Sequence, residues 1–283
     1  MLIAESGATK TEWRLVNGPD DILAFRTSGF NPNVMSPDAI KRDLGEIVRK
    51  NLNGKQIDKL YFYGAGLGAA SLRDRLAEML KIYFPSSTIE VNHDLLAAAR
   101  STGFFEGIVC ILGTGSNSCR YRHGEIIDRK GGHGFIFGDE GSGADLGKHL
   151  IKGLLENRFP ASIKDFIESQ EGEGIDEIKF AIYRSDKPNV RMARLSKYLD
   201  EILHYDEIRS MIYKRFLAFL DTSVLLYEGA ELIPVNFVGS ISYYFRDILR
   251  AACEERGITD VHIQHDPIDQ LVAFHQNYAL GKV

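Results

Sequence analysis

The strongest constraint on the fold is a pattern of strands and small-residue turns that occurs twice, about 105 residues apart. In the first copy, short apolar strands are separated by turns at Gly7 and at Asn17-Gly18. In the second copy, equivalent turns follow at Gly113 and at His123-Gly124. The copies share almost no sequence identity, so the pattern indicates a weak internal repeat of architecture.

Apolar residues at helical spacing follow both groups of strands. Helices are predicted at 71–83, 94–101, 142–157, 161–169, 206–230 and 243–255, with further helices after Ser36-Pro37 and after Pro267. Short apolar strands at 60–63, 89–92, 235–238 and 261–263 lie between them. This alternation predicts an α/β chain with mixed sheets.

Length and composition limit the class of protein. The chain has 283 residues, which suggests about two domains at roughly 150 residues per domain. Apolar residues make up 44% and charged residues 26%, an ordinary globular composition that excludes disorder, collagen and coiled coil for the whole chain.

Charge and apolar runs exclude several partners. The net charge is −5 and no polybasic block occurs, so nucleic acid is not an expected ligand. No apolar run is long enough to cross a bilayer, and the first residues lack the features of a signal peptide. Three cysteines without a CxxC motif argue against a disulfide framework or an iron–sulfur site. We therefore expect a soluble, cytoplasmic protein with no membrane partner.

Three small-residue turns directly follow predicted strands, at 6–11, 113–118 and 239–241. Small residues let backbone N–H groups approach an anion, and hydroxyl groups add donors, so such turns can hold phosphate groups. Each turn taken alone is more often a tight β-turn than a phosphate site. Two of the three, at 6–11 and 113–118, lie in matching positions of the two copies, and this favours the phosphate interpretation.

The familiar nucleotide-binding motifs are absent. Gly7-Ala8-Thr9-Lys10-Thr11 lacks the first glycine of a P-loop, and Gly64-Ala65-Gly66-Leu67-Gly68 does not have the spacing of a Rossmann fingerprint. The second segment is interpreted as a sharp turn between a strand and a helix.

Asp94 follows a predicted strand and opens a predicted helix. It has two interpretations: an N-cap of that helix, or a general base at the carboxyl end of a strand. A kinase that phosphorylates a hydroxyl needs one such carboxylate, because the attacking hydroxyl must be oriented and must lose a proton.

Two glycine-rich segments, 131–134 and 138–143, flank Phe135-Ile136-Phe137. Asp139 and Glu140 in the second segment could bind sugar hydroxyls or cap the helix that follows. Asn33 lies in a predicted turn whose amides would also suit sugar hydroxyls if the loop reaches the ligand.

Taken in order, these motifs resemble those of the N-acetylglucosamine kinases and the related benzoyl-CoA reductase activator ATPases, in the superfamily of actin-like ATPases and sugar kinases. The resemblance covers essentially the whole chain. It rests above all on Gly113-Thr114-Gly115-Ser116-Asn117, on Gly138-Asp139-Glu140-Gly141-Ser142 and on Gly239-Ser240.

The resemblance implies two ribonuclease-H-like domains with ATP and Mg²⁺ in the cleft between them. Boundaries are expected at 1–103 and 104–268, with a last helix at about 269–283 that can pack back on the first domain. A homodimer is one assembly that the sequence leaves open.

The resemblance also implies roles for individual residues, with Asp94 as the base that acts on the sugar hydroxyl. The nucleotide would be bound by Gly7, Thr9, Lys10, Thr11, Gly113, Thr114, Gly115, Gly239 and Ser240. The sugar would be bound by Asn33, Ser116, Asn117, Gly132, His133 and Asp139. Glu5 would be the Mg²⁺ ligand; it stands where the family usually has aspartate, and Ser6 and Ala8 replace glycines.

The predicted function is ATP-dependent phosphorylation of an amino sugar, N-acetylglucosamine or N-acetylmuramic acid. One alternative is a non-catalytic sensor of sugar or nucleotide, because the first phosphate motif is altered. The other is a redox-partner activator ATPase, against which the missing cysteine pair argues.

Overall fold

The computed structural model describes residues 1–7, 10–18, 21–30, 35–52 and 54–279. The chain divides into two compact units. The first contains Met1–Phe104 together with the segment from Pro267 onward, and the second contains Phe105–Asp266.

The first unit is built on a five-stranded mixed sheet. Its strands are β1 (Leu2–Ser6), β2 (Lys10–Val16), β3 (Ile22–Ser28), β4 (Lys59–Gly64) and β5 (Thr88–His93). Their order in the sheet is β3-β2-β1-β4-β5, with β1, β2 and β3 antiparallel and β1, β4 and β5 parallel. Its helices are α1 (Pro37–Ile47), α2 (Ala70–Tyr83) and α3 (Asp94–Ser101), and a π-helical turn at Val48–Leu52 extends α1.

Alternation along β1 sends successive side chains to opposite faces of this sheet. Leu2 and Ala4 join one buried cluster with Trp13 and Phe62, under α1 and α2. Ile3 joins a second buried cluster on the other face, to which α3 contributes. Both faces are therefore covered, as a sheet with a parallel half requires.

The second unit repeats the architecture with larger helical insertions. Its strands are β6 (Glu106–Leu112), β7 (Ser116–Arg122), β8 (Glu125–Gly131), β9 (Val235–Val238) and β10 (Val261–Gln264), in the order β10-β9-β6-β7-β8. Its helices are α4 (Gly134–Phe137), α5 (Gly143–Leu155), α6 (Ala161–Glu171), α7 (Ile175–Tyr183), α8 (Pro188–Leu195), α9 (Asp206–Thr222), α10 (Ser240–Tyr244) and α11 (Arg246–Glu255). The two sheets have the same strand order, antiparallel over three strands and parallel over the rest.

The α/β class with two mixed sheets is confirmed, but one long helix was predicted wrongly. The expected helix at 206–230 ends at Thr222, and a 3-10 turn follows at Val224–Leu226. The apolar pattern continues beyond the helix because Val224 and Tyr227 are buried in the same core. Periodicity reports burial, and here it did not distinguish a helix from the turns that follow it.

The segment after Pro267 forms α12 (Ile268–Ala279), which packs on α3 and β1 of the first unit. His275 on this helix is 2% exposed, and its ring stacks on Tyr61 with 3.7 Å between ring centroids. The Tyr63 hydroxyl lies 2.8 Å from His275 Nε2, and Arg100 donates to the same hydroxyl at 2.6 Å. A neutral imidazole with Nε2 unprotonated can accept the hydroxyl hydrogen while Arg100 donates to the hydroxyl oxygen.

None of the described helices has the length and apolar content that a membrane span needs.

Protonation of His275 is expected to weaken the first unit. Burial lowers the pKa of His275 to about 4, against an ordinary value of 6.5. The unfolded chain therefore binds this proton first, and stability is lost as the pH falls from 6.5 towards 4. Between about pH 7.5 and pH 5 the wild type should lose about 2 kcal/mol of unfolding free energy more than His275→Gln, as measured by urea denaturation.

His262→Gln is the control, since His262 is an exposed residue of β10 paired with Asp260. If this control and His275→Gln showed the same pH dependence, His275 would not be the group responsible.

Candidate nucleotide and sugar site

The first small-residue turn joins β1 to β2 and is closed by Gly7, whose N–H donates to the Lys10 carbonyl at 2.9 Å. Beneath it, the Thr11 hydroxyl donates to Ser6 Oγ at 2.8 Å, and Ser6 Oγ accepts from the Phe30 N–H at 2.8 Å. The Thr11 side chain is fully buried and supports the turn. Its expected part in nucleotide binding stays a prediction.

Lys10 stands at the start of β2 with its ammonium group partly exposed. Its Nζ lies 3.3 Å from Glu12 Oε1, and Arg26 and Arg14 approach the same carboxylate. Glu5 is half-buried on β1, directly across the strand pair from Glu12. Lys10 is therefore the cation next to the turn, and Arg14 and Arg26 pair with Glu12 farther along the strands. Two predicted residues, Thr9 and Asn33, lie outside the described residues.

The second small-residue turn joins β6 to β7 and is held by the first turn of α5. Gly113 N–H donates to the Gly115 carbonyl at 3.0 Å and closes the turn. The Gly143 N–H donates to the Gly113 carbonyl at 2.8 Å, and the Ala144 N–H donates to the Thr114 carbonyl at 3.1 Å. Two N–H groups that a helix leaves without internal partners are satisfied in this way. The helix thereby fixes the peptide planes of the turn.

The third small-residue turn lies against the second. Gly239 follows β9 with φ of 129° and ψ of 166°, a conformation that is essentially restricted to glycine. A Cβ there would overlap the Leu112 carbonyl and would lie 3.4 Å from the Gly113 nitrogen. The next residue, Ser240, is exposed at the start of α10. Two of the three predicted phosphate turns are thus adjacent in the folded second unit.

Predicted sugar-binding residues cluster beside the second turn. Burial raises the pKa of the Asp139 carboxyl above its usual value, and a hydrogen bond from the Ser116 backbone opposes that rise. A Cβ at Gly115 would lie 2.8 Å from Asp139 Oδ2, and one at Gly132 would lie 2.7 Å from Asn117 Oδ1. The two glycines therefore leave the room that these polar side chains occupy.

The capping interpretation of the acidic pair is wrong. Helix α5 is capped by Ser142, whose hydroxyl accepts from the Asp145 N–H at 3.2 Å. Asp139 has a positive φ of 59° and holds the loop through its carbonyl, which accepts from the Ser142 N–H at 3.1 Å. The Asp139 side chain thus has no part in capping α5.

His133 is exposed and precedes α4, a single turn whose Ile136 and Phe137 are 70% and 83% exposed. Its Cβ lies 3.3 Å from the position that a Cβ on Gly138 would take. The two glycine-rich segments therefore meet at this point.

Asp94 is the first residue of α3, and the N-cap is its neighbour His93, whose Nδ1 accepts from the Leu96 N–H at 3.1 Å. The N-cap interpretation of Asp94 is therefore wrong. Its Oδ1 accepts from the Leu95 N–H at 2.9 Å. The carboxylate lies at the carboxyl end of β5 and at the amino end of α3.

Sequence reasoning missed one polar pair under the Asp139 loop, formed by Asp145 of α5 and Arg215 of α9. The only sequence signal was the Ser142-x-x-Asp145 spacing, which resembles a capping box.

A magnesium ion needs few protein ligands when a nucleotide is bound, because it keeps water and takes phosphate oxygens. Among the described residues, no group of three or more His, Cys, Asp and Glu side chains lies together as a metal site. Glu5 provides one half-buried carboxylate beside the first turn, and a hard oxygen donor of this kind fits Mg²⁺.

Replacement of Gly239 by alanine should displace the second turn. The added Cβ cannot be placed without moving the Leu112–Gly113 backbone, so we expect a loss of about 2–4 kcal/mol in stability and at least ~10-fold weaker ATP binding. Denaturant unfolding and titration calorimetry with ATP measure the two effects. Gly257→Ala is the matched control, because φ is also positive there but nothing lies within 4 Å of the new Cβ. Equal effects at both positions would contradict the contact.

Comparison with known proteins agrees with these features. No protein-family model matches the chain. An N-acetylmuramic acid/N-acetylglucosamine kinase of Clostridium acetobutylicum is 29% identical over 212 residues, which is 69% of this chain and 68% of that protein. A solved structure from Porphyromonas gingivalis, provisionally assigned as an N-acetylglucosamine kinase, is 34% identical, with 99% of both chains covered and a TM-score of 0.93.

A more distant structure has the same fold. A ROK family glucokinase of Streptomyces griseus, solved with glucose and AMPPNP, is 14% identical, with 98% of both chains covered and a TM-score of 0.57. The predicted two-domain fold of the actin-like ATPases and sugar kinases is thereby confirmed. With an identity of 34% over nearly its full length, the chain belongs to the N-acetylglucosamine kinase family.

Proposed function

We propose that this protein transfers the γ-phosphoryl group of ATP to a hydroxyl of an amino sugar, N-acetylglucosamine or N-acetylmuramic acid. The observation that carries the proposal is the cluster of Ser116, Asn117 and Asp139 beside the Gly113–Gly115 turn, in a chain of this kinase family. A sugar-binding set and a phosphate-binding turn on adjoining residues of one unit suit a phosphotransferase. The Clostridium relative is named for both sugars.

The sugar would be bound through its hydroxyl and amide groups. Asp139 can accept hydrogen bonds from two neighbouring hydroxyls, while Asn117 offers both a donor and an acceptor. Ser116 is buried, and its backbone orients the Asp139 carboxylate. Gly132 and His133 are exposed next to these groups and complete the set, to which we assign Asn33 as well.

The nucleotide would be bound by the three turns. Backbone N–H groups of Thr114 and Gly115, with the Thr114 hydroxyl, suit the phosphate oxygens, and Lys10 adds a positive charge. Gly7 and Gly113, whose own N–H groups close the turns, would let the phosphate approach the backbone closely. Thr9 is assigned to the same group. Gly239 and Ser240 are assigned to the nucleoside, because Gly239 lies against the second turn.

Glu5 is the residue that would hold Mg²⁺. The ion, when bound, neutralises charge on the phosphate oxygens.

Asp94 is assigned the role of general base. Phosphoryl transfer depends mainly on positioning and on charge stabilisation, and the acceptor hydroxyl must lose its proton as the new bond forms. A carboxylate at the amino end of α3 is fixed in direction by the hydrogen bond from the Leu95 N–H. It would orient the hydroxyl and take up its proton.

No observation favours the sensor alternative. The activator ATPase is disfavoured because all three cysteines, Cys110, Cys119 and Cys253, are buried within the second unit, where none can bridge to another subunit. The cytoplasmic location and the homodimer stay predictions.

Asp94→Asn should fold normally and lose at least ~10²-fold in kcat, the usual scale for loss of general-base assistance. The amide keeps the shape and the hydrogen bond from the Leu95 N–H but cannot accept the proton. ADP release in the presence of N-acetylglucosamine and of N-acetylmuramic acid measures kcat, with circular dichroism as the check on folding.

Asp38→Asn is the control, because Asp38 is an exposed carboxylate in the first turn of α1. If Asp94→Asn kept near-normal kcat, Asp94 would not be the base. If the wild type released no sugar-dependent ADP with either sugar, the proposed function would be wrong.

A further inference from the structure

A buried ion pair lies under the loop that carries Asp139. Asp145 is 2% exposed, and its Oδ2 accepts from Arg215 Nε at 2.6 Å. The same oxygen accepts from the Gly141 N–H at 3.0 Å. One carboxylate oxygen therefore joins three parts of the second unit: the start of α5, the middle of α9 and the loop at 138–143.

The loop has little freedom at this point. Gly141 has a positive φ of 69°, and a Cβ there would lie 3.1 Å from Phe219 Cβ and 3.3 Å from the Arg215 carbonyl. The loop backbone is thus packed directly on α9, one turn along from the ion pair. Without Arg215, Asp145 and the Gly141 N–H that it holds would be joined to α9 only by the packing of the Gly141 backbone.

The charge of Asp145 has several neighbours. Lys148 Nζ lies 3.2 Å and His149 Nε2 3.5 Å from Oδ1, both on α5 itself. Arg215 is the only cation among the described residues that reaches Asp145 from another helix. It therefore ties the loop to α9, whereas Lys148 compensates charge from within α5. Burial lowers the pKa of His149, so its imidazole adds little positive charge.

The Asp145–Arg215 ion pair lies close to Asp139, the side chain proposed to bind the sugar. Asp139 is two residues before Gly141, and its carbonyl accepts from the Ser142 N–H. Asp139 Oδ2 fills the space beside Gly115, so a shift of the loop would move the carboxylate relative to Asn117 and Ser116. The phosphate turn has separate anchors, the Gly143 and Ala144 N–H groups of α5.

We infer that Arg215 and Asp145 are positioning residues for the sugar, acting through Asp139, and that they have little influence on nucleotide binding. The inference rests on the proposed function, in which Asp139 binds sugar hydroxyls. It predicts that loss of the ion pair weakens sugar binding but not nucleotide binding, a difference that a general loss of stability would not produce.

The test is a double-mutant cycle on Arg215→Met and Asp139→Asn, followed by calorimetric binding of N-acetylglucosamine and of ADP. Arg215→Met should raise the Kd for the sugar about tenfold, within the usual coupling of residues in one network, and the Kd for ADP less than about twofold. In the Asp139→Asn background, Arg215→Met should raise the sugar Kd by less than about twofold, because the group it positions is gone.

Further variants distinguish an effect on the position of Asp139 from a general loss of stability. Arg256→Met removes an exposed pair between Arg256 and Asp221 of α9, and should leave both Kd values unchanged. Arg215→Lys keeps the charge and should recover part of the sugar affinity. Should Arg215→Met fail to fold, Asp145→Asn replaces it, since the amide oxygen still accepts from the Gly141 N–H but no longer attracts Arg215.

The outcomes are distinct. If Arg215→Met weakens sugar binding by the same factor in both backgrounds, or raises the Kd for ADP equally, the inference is overturned. If Asp139→Asn leaves the sugar Kd unchanged, the assignment of Asp139 fails and the inference fails with it. If the variants couple as expected but the wild type transfers no phosphoryl group, the inference stands and the kinase proposal does not.

Discussion

Backbone N–H groups in the first turn of α5 donate hydrogen bonds to carbonyl groups of the Gly113–Gly115 turn. The organisation of the second unit depends on this contact. A helix start has N–H groups without internal partners, and a tight turn has carbonyls that face away from its own sheet. The N–H groups of the helix start donate to the carbonyl groups of the turn, so neither element is left with unsatisfied buried polar groups. Gly143 allows the two backbones to come this close, because a Cβ there would lie 3.2 Å from the Gly113 carbonyl oxygen.

The same helix start also places the loop that carries Asp139. Ser142 caps the helix, Asp145 holds the Gly141 N–H, and the chain between them must then follow a fixed path. Glycines at 115 and 132 leave the space that Asp139 and Asn117 fill. The turn proposed to bind phosphate and the residues proposed to bind the sugar thus depend on the same local arrangement, which suits an enzyme that must bring both ligands together.

The first unit is completed by a segment from the other end of the chain. Helix α12 covers the face of the sheet on which Tyr63 lies, and the contact is polar at its centre, through His275 and Arg100. A buried polar network of this kind is sensitive to protonation, because a charged imidazole can no longer accept the tyrosine hydrogen bond. Because α12 follows the second unit in the sequence, the first unit depends on residues that come after the second unit.

Much of the fold and of the site could be predicted from the sequence. Strand–turn–strand patterns and the small residues after each strand are local properties, and they predicted an α/β chain with mixed sheets. The two domains and the grouping of Ser116, Asn117 and Asp139 were implied by the family resemblance of the motifs. The roles of Asp94, Thr11 and Asp139 could not be assigned in that way. Which of His93 and Asp94 caps α3, and whether the Thr11 hydroxyl faces a ligand or Ser6, depend on backbone angles and burial that one position cannot reveal.

Contacts between residues distant in the chain were decided by tertiary structure alone. Arg215 lies 70 residues from Asp145, and His275 lies 212 residues from Tyr63. Neither pair has a local signal, because a lone arginine or histidine on a helix is ordinarily exposed or satisfied nearby. The sequence by itself determined which backbone turns can approach an anion, since that property belongs to glycine and small residues. The packing of α5 against α9 and of α12 against the first sheet decided how those turns are held, because a buried charge or imidazole is stable only where the folded chain brings it a partner.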